Sequence, residues 1–103
     1  MAVSRFRITA KQLLPRIRQC AESSQNVMFN PPLVRQSMAG MMTFHQSLKC
    51  LQEGNLIGKP KVDEHGNWIF RMERFAAGEA QIVNAVAIVD GVHVEKILVF
   101  LES

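Results

Sequence analysis

Three residues in the second half of the chain have the types that metal-independent RNA cleavage needs. That reaction uses a base for the 2′-hydroxyl, a cation for the phosphate and an acid for the leaving oxygen. His65, Arg71 and Arg74 supply those types, with Lys59 and Lys61 in the connection just ahead of them. Spacing works against one shared site. Arg71 and Arg74 are three residues apart on a segment of two-residue period, so a regular strand points them to opposite faces. The plainer reading of all five is a set of solvated side chains with no common centre.

A second set is electrostatic. The net charge of +3 hides an imbalance: residues 1–52 carry seven Lys/Arg against the single acid Glu22, and residues 53–103 carry five against eight. A basic half attracts phosphate or an acidic partner. Arg5, Arg7, Lys11, Arg16, Arg18 and Arg35 are the candidates for nucleic-acid contact. Strong nucleic-acid binders are usually more basic than this. Arg16 and Arg18 also lie off the apolar stripe of the first helix, where solvent is their ordinary environment.

Other chemistry has little to build on. His45 falls in the first turn of a helix and His93 follows the Asp90-Gly91 turn, neither with a partner at metal-ligand spacing. Cys20 and Cys50 form no CxxC pair and read as two small buried thiols. The sequence has no tyrosine, and no P-loop, GxGxxG, GxSxG or HExxH. No metal and no cofactor are expected. The longest apolar run, residues 85–89, is too short to span a bilayer. The opening "MAVSRFRITAKQLL" lacks the apolar core of a secretory signal. The expectation is a cytoplasmic protein with no membrane contact.

The elements that must position these residues follow from periodicity. With 103 residues, 48% of them apolar, the chain supports one modest core. We expect a single α+β domain over 1–103, mainly helical over 1–54 and a β-meander over 55–103. "ITAKQLLPRIRQCAESS" opens as a helix, with Thr9 and Gln12 at capping-box spacing and Leu13, Ile17, Cys20 and Ala21 on one stripe. Pro15 should kink that helix or delay its start. Val27, Met28 and Phe29 read as a short strand or extended link.

Asn30 and Pro31 suit a helix start. Val34, Met38 and Met41 follow at helical spacing, with Gly40 an interruption and "MAGMM" packing between helices. Thr43 and Gln46 make a second capping box. Phe44, Leu48 and Leu51 form the next stripe, and Gly54 the stop. Trp68, Phe70 and Met72 then alternate with Ile69, Arg71 and Glu73, as in a half-buried strand. Residues 82–89 are apolar on both faces apart from Asn84, as in a central strand. Asp90-Gly91 signals a hairpin, "VEKILVFLE" a last strand and "NLIGKPKV" a further short one. The polar knot "DEHGN" is turn chemistry, with Gly66 or Asn67 able to take positive φ.

Helices on one face of a three- to four-stranded antiparallel sheet are the expected architecture. From Thr43 onward, "TFHQSLKCLQEGNLIGKPKVDEHGNWIFRMERFAAGEAQIVNAVAIVDGVHVEKILVFLES" resembles the small bacterial domain family of unknown function 4258, itself similar to the RelE/ParE toxin superfamily. The resemblance lies in a capped helix ending Leu51-x-x-Gly54, a Gly58-x-Pro60 link, an acidic-glycine turn and a tryptophan-led strand. It implies a RelE-like fold, a toxin–antitoxin setting and RNA, the ribosome or a small antitoxin as partner.

The chain departs from the family where a histidine and two arginines usually precede the cap. Pro32, Gln36 and Gly40 hold those positions, Ser37 stands at the methionine that follows the first arginine, and Arg35 lies one residue out of register. The leading expectation is a degenerate toxin relative that acts by macromolecular contact. Two others stand beside it: an active mRNA endonuclease using His65, Arg71 and Arg74, and a homo-oligomeric module joined through its sheet edges without catalysis.

Overall fold

The structure is a computed structural model and describes residues 8–30, 44–76 and 78–100. The first helix, α1, spans Ala10–Ala21 and runs through Pro15. Thr9 N–H donates to Gln12 Oε1 at 3.0 Å, closing the Gln12 half of the capping box. Proline inside a helix costs about 3 kcal/mol. Leu13 and Ile17 are fully buried on the opposite stripe, and each such side chain is worth about 1.5–3 kcal/mol. Burial therefore outweighs the proline, which sits on the exposed side of the helix.

A 3₁₀ turn, Ser24–Asn26, leads into β1 (Val27–Asn30). The second helix, α2, spans Phe44–Glu53. The expected helix around Val34 and Met38, the Asn30 cap onto it and the Thr43 cap lie outside the described residues. After α2 come β2 (Asn55–Leu56), β3 (Lys61–Val62), β4 (Trp68–Ala76), β5 (Glu79–Asp90) and β6 (His93–Phe100).

The sheet corrects the expected one. It has six strands and is mixed, ordered β1-β6-β5-β4-β2, with β3 also on β4. The meander β4-β5-β6 is antiparallel as expected. The difference lies at the edges. β1 joins parallel to β6, Val27 opposite Ile97 and Phe29 opposite Val99. "NLIGKPKV" makes two strands of two residues that share the outer edge of β4, separated by Gly58 at φ 67°.

Both helices pack on one face, α1 over β6 and α2 over β5 and β4. The core lies between them: Leu13, Ile17 and Ala21 from α1, Cys50 and Leu51 from α2, Phe70 and Met72 from β4. Ala85 and Ala87 on β5 let the helices come close to the central strand.

Polar side chains then lock the layer. Arg18 Nη2 donates to Gly54 O at 2.8 Å and to Asn55 Oδ1 at 3.2 Å. Gln52 Nε2 donates to Ala21 O at 2.9 Å. The expected glycine stop at Gly54 works differently from a left-handed cap. Its φ is not in the left-handed region, and its N–H continues the helical ladder to Cys50 O at 2.8 Å.

Candidate interaction face

The polar knot is a turn. Asp63 Oδ1 accepts from His65 N–H at 2.8 Å and Asn67 N–H at 2.9 Å. Gly66 takes φ 85°. Asn67 Oδ1 accepts from Val89 N–H at 3.1 Å, tying the turn to β5. A β-branched side chain at Gly66 meets left-handed strain, so Gly66→Val should lower stability by about 1–2 kcal/mol in urea unfolding. His65→Ala should leave stability unchanged in the same assay, because the His65 side chain is 73% exposed and its pairing with the 86% exposed Glu64 is a surface contact of little worth.

The Asn67 and His65 amides hold the Asp63 carboxyl below its ordinary value. A depressed folded pKa stabilises above the unfolded value, and that contribution is lost as pH falls through the folded one. The His65 and Asn67 amide resonances should therefore report an Asp63 titration whose midpoint lies below the ordinary carboxylate value, about 3.9.

The residues suited to RNA cleavage are not brought together. His65 borders an open hollow of about 480 Å³ with Trp68 and Val89. Arg71 is exposed on the opposite face of the sheet. Arg74 turns back toward the helix layer, pairing through Nε with Glu53 Oε1 at 3.2 Å and through Nη1 with Gln81 Oε1 at 3.3 Å. It lies six residues along β4 from Trp68, a run of about 20 Å. Lys59 and Lys61 are exposed on the β4 edge.

Among the basic candidates, Lys11 is exposed, Arg16 half-buried and Arg18 engaged with Gly54 and Asn55. Arg5, Arg7 and Arg35 lie outside the described residues. Both cysteines are buried. Burial pushes the Cys50 thiol up to about 11, Arg74 drawing it down only in part, and raises Cys20 as well. Neither is a thiolate nucleophile at neutral pH. His45 and His93 are exposed. Among the described residues no three His, Cys, Asp or Glu side chains gather in a way that could hold a metal ion, and no helix is long and apolar enough to cross a membrane.

What does come together is an apolar surface. The helices cover one face of the sheet, and no described element covers the other. On that bare face Met28, Leu98, Val86 and Ile69 stand in register across β1, β6, β5 and β4. The next row is Asn30, Phe100, Asn84 and Arg71. Beyond it Ile82 pairs with Glu73 and Ala80 with Phe75. On the other side Ile88 pairs with Lys96.

Six large apolar residues are exposed among those described, and five of them are here: Met28, Ile69, Phe75, Ile82 and Phe100. A contiguous exposed apolar patch marks an interaction site. Sequence reasoning missed it by reading the two-sided apolar run 82–89 as buried on both faces. β5 is central, as expected, but only its Val83, Ala85 and Ala87 face is buried. The signal was present in Ile69, which alternates with core residues yet matches nothing on either helix. No protein-family model, curated protein or solved structure matches the chain, and the site is read from its own geometry.

Proposed function

We propose that the chain is a binding module, a non-catalytic relative of RelE/ParE-like domains, that works by protein contact through the bare face of its sheet. The row Met28, Leu98, Val86 and Ile69 carries this reading. It is aliphatic and continuous across four strands, and water is a poor neighbour for it. The two helices on the other face of an antiparallel meander are in keeping with the resemblance. The absent histidine at 32 and arginines at 36 and 40, and the separation of His65, Arg71 and Arg74, favour contact over cleavage. A short antitoxin-like protein is the partner that the resemblance implies.

Protein is favoured over RNA because single-stranded nucleic acid needs aromatic platforms for its bases. Phe100 and Phe75 stand on β6 and β4, two strands and four residues apart, which is roughly 16 Å and too far to take neighbouring bases. The purified chain should leave RNA intact, and any association at low salt should fade as salt rises. Specific cleavage that is lost in His65→Ala or Arg71→Ala, with the fold intact by circular dichroism, would overturn this reading and establish a ribonuclease.

A further inference from the structure

We infer that the occupant of the bare face is a second copy of this chain, packed sheet to sheet about a two-fold axis that runs along the strands between β5 and β6. This rests on the reading of that face as a protein-contact surface. A two-fold interface presents one patch to itself, so the patch must be self-complementary. An axis along the strands reverses the strand order and keeps every row. Val86 then meets Leu98 of the second copy, and Ile69 meets Met28, so the aliphatic row covers itself. Arg71 meets Asn30, whose side-chain oxygen can accept from a guanidinium. Lys96 meets Ile88, over which its methylene stem can lie with the ammonium in water. Among the described residues no like charges oppose each other.

The other simple axis, across the strands, sets Arg71 against the Asn67 position. That amide oxygen is already taken by Val89 N–H. Aligned packing of two sheets at about 10 Å is an ordinary arrangement. β1 adds only Met28 and Asn30 to this face, so two rows cross four strands and a third, Ile88 with Lys96, crosses two. Two such patches with their relief bury about 800 Å², in the range of weak, transient contacts. The dimer should therefore be weak and dissociate on dilution.

Sedimentation velocity over a dilution series tests this. The wild-type chain should show a concentration-dependent monomer–dimer equilibrium, and Val86→Arg, with unchanged circular dichroism, should be monomeric throughout. A second measurement does not depend on that variant folding. Met28→Cys protein is mixed with Ile69→Cys protein and treated with a short thiol-to-thiol crosslinker. The mixed pair should link far more than either variant with itself, and the buried Cys20 and Cys50 should not compete. A wild-type chain that is monomeric at every soluble concentration, or crosslinking confined to like pairs, overturns the inference. The underlying reading fails on a different result: Met28 and Phe100 as reactive in concentrated protein, and in extract of the source cells, as in dilute buffer. Shielding in extract, with a monomeric purified chain, would mean the face takes a different protein.

Discussion

Gly54→Ala should destabilise the chain by about 3 kcal/mol, at the upper end for overpacking. A Cβ at this position would stand 2.5 Å from Cys50 O and 2.5 Å from Glu73 O. Both are backbone atoms, so no side chain can swing aside. Relief requires α2 to lift from β4, which also breaks the Arg18 bond to Gly54 O. The loss is large against a total stability of about 5–15 kcal/mol. It is read as a lower midpoint in urea unfolding with unchanged slope. A cost below about 1 kcal/mol would mean that the approach of α2 to β4 is looser than described.

Leu51→Ala should cost about 2–5 kcal/mol, the range for emptying a Leu site in a core. Leu51 is fully buried on α2, in one cluster with Phe70 and Met72, and Trp68 packs partly against that cluster. The spread depends on how far the neighbours collapse into the space. Met72 is the residue best able to move, because an unbranched thioether fills irregular gaps. Thermal and urea unfolding of the purified variant should both register the loss. An unchanged midpoint would show that α2 does not hold the sheet.

The parts of the fold written in local periodicity were legible. The stripe Leu13, Ile17, Cys20 and Ala21 marks α1, and the alternation of Phe70 and Met72 with Ile69 and Arg71 marks β4. Turn chemistry at residues 63–67 and at Asp90-Gly91 placed the hairpins. What was not legible depends on partners distant in sequence. Nothing in "VMFN" says that it pairs with residues 97–100, because a parallel pairing leaves no turn between its strands. Arg18 reads as solvated until Gly54 is brought beside it. Gly54 reads as a helix stop until the approach of Glu73 shows why no side chain fits.

The candidate face shows the same limit in another form. Apolar residues on both sides of β5 say that both sides want cover. They do not say whether a helix of the same chain or another molecule supplies it. His65, Arg71 and Arg74 illustrate the converse. Their types suit a reaction, but placement is set by the pleat of β4 and by the turn ahead of it, and these carry the three to different surfaces.

Hydroxyl-radical labelling of the whole protein, compared between dilute buffer, concentrated buffer and extract of the source cells, tests the central claim most directly. Met28 and Phe100 are 50% and 38% exposed on the bare face and react readily when solvated. His45 on α2 and His65 in the turn at 63–67, both exposed and off that face, serve as internal references. The account predicts that labelling of Met28 and Phe100 falls several-fold relative to His45 and His65, in concentrated protein where a second copy covers the face and in extract where another protein does. Labelling of Met28 and Phe100 that stays level with His45 and His65 in all three conditions would contradict it, and the bare face would then be simply the solvated side of the sheet.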